Sequence, residues 1–351
     1  MKPEKILLIH LKRVGDILLT TPAISYLRRL FPKAQIDYLV YPEYADILEG
    51  NPNLSRVIPY PKSAPWRLPG LLAWRYDWVI DFLANGASAW ASFFSRARRR
   101  IAFYNGYPAL IHNFKIPRPK EILYAPLQKL DLIRRALTAL DLAAPAPPPN
   151  LLLPQLFINQ DKKKTGLAAL EKDGLKISGR PLVMISPTSR RVTRCWRADG
   201  FAEVARRLAQ ENGATVACLW GPLEQEEARH IVTLAGHPDV RLAPEFAGIQ
   251  DLGGYLAHAD GLITNCNGTR HVATALAIPT LSIHMSSDPC IWNPPNPAGS
   301  GFHPRHPVIR LEKLFCIACN KNACPYNLEC STQLQTNAVL QEAKKLLAFK
   351  D

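Results

Sequence analysis

No stretch of this 351-residue chain is apolar for long enough to span a bilayer, and nothing at its start reads as a secretion signal. The apolar run at residues 6–11 is too short for a signal core and meets Lys12, Arg13 and Asp16 at once. A cytoplasmic protein is the expectation. Acidic residues are also scarce, 29 against 43 lysines and arginines, which leaves a formal net charge of +14. That excess calls for an anionic partner: nucleic acid, a phospholipid surface or a phosphorylated substrate. The basic residues gather at 96–100, 162–164 and 190–197, without the interleaved aromatic platforms of a single-strand binder and without an RRM or zinc-finger signature. Nucleic acid is therefore disfavoured, and Lys162 to Lys164 read as a solvated helix face.

What the chain does have is apolar material for two cores, 47% of its residues, over a length that favours two domains. Runs at 5–11, 35–40 and 78–82 read as buried strands, separated by helical patterns at 16–30 and near 43–50. The stretch 143–150, Ala-Ala-Pro-Ala-Pro-Pro-Pro-Asn, cannot hold regular structure because its prolines donate no backbone hydrogen bonds. It is expected to edge a first domain, 1–155, ahead of a linker and bridging helix over 156–178. A second series follows, with strands at 181–186, 215–220, 261–264 and 280–284 and helices at 200–212 and 223–235. It makes a second domain, 179–333, closed by a terminal helix in 334–351. The expected fold class is α/β, two consecutive doubly wound domains with a central crevice.

In such sheets, ligands meet the loops that follow the carboxyl ends of strands. The first strand runs into Gly15 and then Asp16, so a carboxylate faces that crevice; the plainer alternative is that Asp16 caps the next helix. In the second domain, strand ends are followed by Ser186-Pro-Thr-Ser189, Gly221-Pro222, Asn265-Cys-Asn-Gly-Thr-Arg-His271 and Ser286-Ser-Asp288. The turn at Asn267 and Gly268 opens a helix whose free amides and positive dipole end suit a phosphate. Arg194 adds a fixed cation for a diphosphate.

Taken in order, residues 9–24 with Gly15-Asp16, the segment Tyr76-Asp-Trp-Val-Ile-Asp81, Arg194-Cys-Trp196, residues 265–279 and Asp288-Pro289 resemble glycosyltransferase family 9. Its best-known members are ADP-heptose:lipopolysaccharide heptosyltransferases. The resemblance implies a GT-B fold, two Rossmann-like domains, the first facing the acceptor and the second holding a nucleoside-diphosphate sugar. It implies Asp16 as catalytic base, and domain closure to bring it to the donor carbon. Arg194 takes the place of a lysine on the donor phosphates. Thr188 and Ser189 match the hydroxyl-bearing turn beside them, Glu224 an acid near the nucleoside, and Gly268 and His271 the family's glycine and histidine. With Asn267, Thr269 and Asp288 they form the expected donor site. An anionic glycolipid acceptor at the inner face of the inner membrane would meet basic residues including Arg13 and Arg98. No catalytic cofactor is expected.

Two departures stand out. Cys266 replaces the family's aspartate, and His284-Met-Ser-Ser-Asp288 replaces a loop beginning Phe-Gly. Losing that carboxylate and that glycine changes charge and backbone freedom at the donor site; the expected function is an inverting transfer of a heptose-like sugar from ADP-heptose or another nucleoside-diphosphate sugar to a lipopolysaccharide-core or related glycolipid, the alternative being a degenerate member that binds sugar nucleotide or glycolipid without turnover. Finally, Cys316, Cys319, Cys324 and Cys330 match the ligand count of a tetrahedral structural zinc; the alternative is reduced or paired structural cysteines. Cys195, Cys218, Cys266 and Cys290 read as ordinary buried residues.

Overall fold

The computed structural model describes residues 2–72, 76–104, 106 and 110–348. The chain divides into two compact units, Met1–Phe157 and Ile158–Asp351.

In the first unit the strands are β1 (Lys5–Ile9), β2 (Gln35–Val40), β3 (Arg56–Pro59), β4 (Trp78–Asp81), β5 (Arg99–Phe103) and β6 (Phe114–Ile116). They pair in parallel in the order β3-β2-β1-β4-β5-β6. Ile6, Leu7, Leu8 and Ile9 are all fully buried, the continuous apolar run expected of a parallel strand covered on both faces. The helices are α1 (Val14–Leu18), α2 (Thr21–Leu30), α3 (Leu68–Leu71), α4 (Gly86–Phe94) and α5 (Ala125–Thr138). The single helix expected over 16–30 is two. The Thr20 and Thr21 hydroxyls donate back to the carbonyls of Ile17 (2.6 Å) and Leu18 (2.7 Å), and Pro22 has no N–H to continue the ladder. The proline-rich stretch lies against this unit, where the Tyr26 hydroxyl donates to the Pro145 carbonyl (2.6 Å).

The second unit repeats the plan. Its strands are β7 (Leu182–Ser186), β8 (Thr215–Cys218), β9 (Val240–Leu242), β10 (Gly261–Asn265), β11 (Thr280–Ile283) and β12 (Val308–Ile309), in the order β12-β11-β10-β7-β8-β9. Its helices are α6 (Gln160–Lys172), α7 (Ala198–Asn212), α8 (Gln225–Ala235), α9 (Ile249–Leu256), α10 (Gly268–Ala275), α11 (Pro289–Trp292), α12 (Glu329–Thr332) and α13 (Thr336–Leu346). α6 and α9 meet glycine to glycine: a Cβ on Gly166 would lie 2.7 Å from the Gly254 carbonyl carbon, so no larger residue fits that crossing. Gly200 is equally constrained, since a Cβ there would strike the Trp196 ring at 2.6 Å.

Counted from its own first strand, each sheet runs 3-2-1-4-5-6, the Rossmann order, so each unit is one Rossmann-like domain of the expected GT-B class. The topological switch points fall between β1 and β4 in one unit and between β7 and β10 in the other. Among the described residues no helix is long and apolar enough to cross a membrane.

Candidate active site

Asp16 stands in the first turn of α1, just past β1 and therefore at the first switch point. It is not the cap. The N-cap position belongs to Arg13, and no side chain makes a capping hydrogen bond there. Nor is Gly15 the residue that bends the chain: Arg13 carries the left-handed φ of 74°. A long side chain in that conformation is strained by about 1–3 kcal/mol, a cost often found at functional sites. Arg13 is exposed beside Asp16's helix, at the carboxyl edge of the sheet.

Three further groups share this edge, of which the sequence singled out only Asp81, as the end of a family-like segment. Burial lowers the Lys129 ammonium of α5 to about 8, while the charge of Asp16 works in the opposite direction. His10 is held near 3, first by burial and then by the Lys129 charge, so it is neutral at any physiological pH. Asp81 ends β4 fully buried: one carboxylate oxygen accepts from the amides of Leu83 (3.0 Å) and Ala84 (2.9 Å), and the other lies 3.1 Å from His112 Nε2. That carboxylate shapes the loop beyond the switch point. Arg98 does not join the group. It immediately precedes β5, and in a parallel sheet every strand starts at the same edge, so five residues of strand, about 16 Å, separate it from the edge that carries Asp16.

In the second unit, Thr188, Glu224 and Asn267 come together at the switch point between β7 and β10. Asn267 caps α10, accepting from the Arg270 amide (3.2 Å), and its side-chain N–H donates to Ser186 Oγ (2.8 Å) and the Thr188 carbonyl (3.0 Å). It thus ties the two loops that flank the switch point. The Thr188 hydroxyl donates to Glu224 Oε2 (2.6 Å), which also accepts from the Gly221 amide (3.0 Å) and links the loop after β8 to the other two. Gly268 and Thr269 form the first turn of α10, where helix amides lack internal partners and the dipole is positive. His271 is buried one turn further on, 3.0 Å from Arg270 Nη2 and edge-on to Trp292. Asp288 caps α11 by accepting from the Cys290 amide (2.9 Å). Ser189 and Arg194 lie partly exposed on the loop that follows β7; Asn265 anchors that loop by accepting from the Trp196 amide (3.0 Å).

The last four candidates, Cys316, Cys319, Cys324 and Cys330, line one pocket together with Thr193, Met285 and Tyr326. All are free thiols. The Tyr326 amide donates to Cys324 Sγ (3.4 Å), and the turn is wound through left-handed Ala318, Asn320, Asn327 and Leu328. Among the described residues, no group of three or more His, Cys, Asp or Glu side chains is poised to hold an ion, so the thiols share a pocket without forming a closed site.

Residues 69–327 match the model of glycosyltransferase family 9 (heptosyltransferase), well over half of the chain and parts of both units. The chain belongs to that family. It is 26% identical over 299 residues to lipopolysaccharide heptosyltransferase 3 of Escherichia coli (strain K12), covering 80% of this chain and 82% of that protein. In fold it is similar to the family 9 glycosyltransferase of Veillonella parvula DSM 2008 (TM-score 0.83, 17% identity, 99% and 98% of the two chains). It is also similar to the ADP-heptose lps heptosyltransferase II of E. coli (TM-score 0.76, 22% identity, 98% of each chain).

This glycosyltransferase keeps its two departures from the family pattern inside the protein. Cys266 is buried at the end of β10, and Met285 is fully buried in the core with Trp196, Ile283 and Leu281. Met285 fills space that a glycine would leave empty, and Cys266 replaces a charge with a small apolar group. The expected buried character also holds for Cys218, whereas Cys195 is half-buried and Cys290 is exposed.

Proposed function

We propose that this enzyme moves a heptose or heptose-like sugar from a nucleoside-diphosphate donor, ADP-heptose foremost, to a lipopolysaccharide-core or related glycolipid acceptor, with inversion at the anomeric carbon. The donor and acceptor classes follow what the relatives' names say of those proteins. The observation that carries the reaction is Asp16, a carboxylate in the first turn of α1 at the switch point of the first sheet. In one displacement Asp16 takes the proton of the acceptor hydroxyl as its oxygen attacks the anomeric carbon. The bond to the diphosphate breaks, and its electron pair leaves with the phosphate oxygen, where Arg194 and the first turn of α10 offset the charge. The first unit thereby serves the acceptor and the second the donor. Asp16→Asn should lower kcat by roughly two to four orders of magnitude with ADP binding and melting temperature unchanged. An active but less stable variant would make Asp16 structural.

One observation favours a non-catalytic reading: Cys266 places a buried thiol where the family carries a carboxylate. Binding of ADP-heptose without transfer to any acceptor would establish it.

The basic run at 96–100 suits a different anionic contact. Trp90 (52% exposed) and Phe93 (49%) project from one face of α4, their rings 5.8 Å apart, just before exposed Arg96, Arg98 and Arg99. Exposed aromatic rings beside cations match an anionic bilayer surface, to which this face would dock peripherally. Trp90→Ser with Phe93→Ser should abolish co-sedimentation with phosphatidylglycerol vesicles; unchanged co-sedimentation refutes the assignment.

The four cysteines have the donor set of a tetrathiolate ion, zinc or iron. When bound, such an ion would cross-link the turn that carries them, and no step of transfer passes through it.

A further inference from the structure

We propose that Asn320, on the turn between Cys319 and Cys324, is a positioning residue for the arginine pair Arg191 and Arg194, which makes the cysteine-bearing turn part of the donor site; the proposal rests on reading the second unit as the donor unit. The Asn320 Oδ1 atom accepts from Arg194 Nη2 (2.9 Å) and from Arg191 Nη1 (3.2 Å). One carbonyl oxygen has two lone pairs, so it satisfies both guanidinium groups at once. Left alone, two neighbouring cations repel each other and each long side chain samples many rotamers. A shared acceptor removes both problems.

The identity of that acceptor matters. A carboxylate in the same place would bind the pair more strongly but would cancel one of the two charges offered to a diphosphate. The neutral amide orients the arginines and leaves both charges for the ligand. The position is also one that asparagine tolerates better than most residues, because its φ of +52° lies in the left-handed region.

The turn is fastened to the arginine loop rather than merely near it. The Asn320 amide donates to the Ser286 carbonyl (2.7 Å), just after β11, and the Ser286 amide donates to the Thr193 carbonyl (3.2 Å). The Thr193 hydroxyl in turn donates to the Lys321 carbonyl (2.8 Å). Thr193 sits between the two arginines in sequence, so these bonds hold the backbone of the pair while Asn320 holds its tips. Whatever orders the four thiols therefore orders the cations.

The test uses titration calorimetry of ADP against the full-length enzyme, alongside UDP, GDP and dTDP. Asn320→Gly keeps the left-handed turn and deletes only the amide; it should weaken binding of the preferred diphosphate about tenfold, with an unchanged melting temperature. Added to Arg194→Ala, it should cost less than it does alone, since the contact to Arg194 is already gone and only the one to Arg191 remains to be lost. Unchanged affinity in Asn320→Gly, or losses that simply add in the double variant, overturns the proposal while leaving the donor reading intact. A wild-type enzyme that binds none of the four diphosphates refutes the donor reading itself, and this proposal with it.

Discussion

Replacing Lys129 by methionine should make this enzyme more stable at neutral pH and less active in acid. The two effects have one source. Burial lowers the ammonium from its ordinary 10.5 to about 8, so folding the charged side chain is penalised wherever it is still protonated in the unfolded chain. The unfolded chain binds the extra proton between about pH 8 and 10.5, so the contribution of Lys129 to stability rises with pH through that window. Below pH 8 the full penalty applies. The shift alone would amount to about 3 kcal/mol, and the partial exposure of the side chain reduces this to about 1–2 kcal/mol. Methionine keeps most of the length without the charge, so urea melts at pH 7 should show that gain, shrinking toward zero near pH 10. The same substitution removes a cation whose charge couples to that of Asp16, so the acid limb of the kcat/KM profile should move to higher pH. An unmoved acid limb together with a loss of stability at pH 7 would show Lys129 to be a packing residue and refute the reasoning.

Other outcomes follow from the strained turn and the thiols. Arg13→Gly should raise stability by about 1 kcal/mol by relieving the left-handed φ, yet lower affinity for an anionic acceptor; a less stable variant in chemical denaturation would mean that the arginine side chain more than offsets its own strain. Protein purified without chelator should carry about one zinc or iron per chain by elemental analysis, and Cys319→Ser should lower metal content and melting temperature together. Metal-free protein of unaltered stability would leave the cysteines as a packing feature.

Buried strands and amphipathic helices were legible from their apolar patterns: β2 is found at 35–40, where Ile36, Tyr38, Leu39 and Val40 predict it. The missed strands are short or polar. β5 opens with Arg99 and Arg100 inside a basic run, and β12 has two residues, so neither carries a pattern long enough to read. This had a direct consequence for the site. With β5 unseen, Arg98 read as part of a charged surface facing the acceptor, whereas the strand fixes it to the edge opposite Asp16. The loops at the switch points were legible for the reverse reason, since each follows a clear strand and carries its polar residues in sequence. What sequence cannot show is convergence from afar. Lys129 is 113 positions from Asp16 and sits on an ordinary amphipathic helix, and Asn320 is one asparagine in a polar, cysteine-rich turn. Their roles come from what the fold sets against them, an acidic side chain in one case and two guanidinium groups in the other. A charge or a hydrogen-bond acceptor gains its function from its neighbours, and in parallel α/β units those neighbours arrive from strands and helices far apart in the chain.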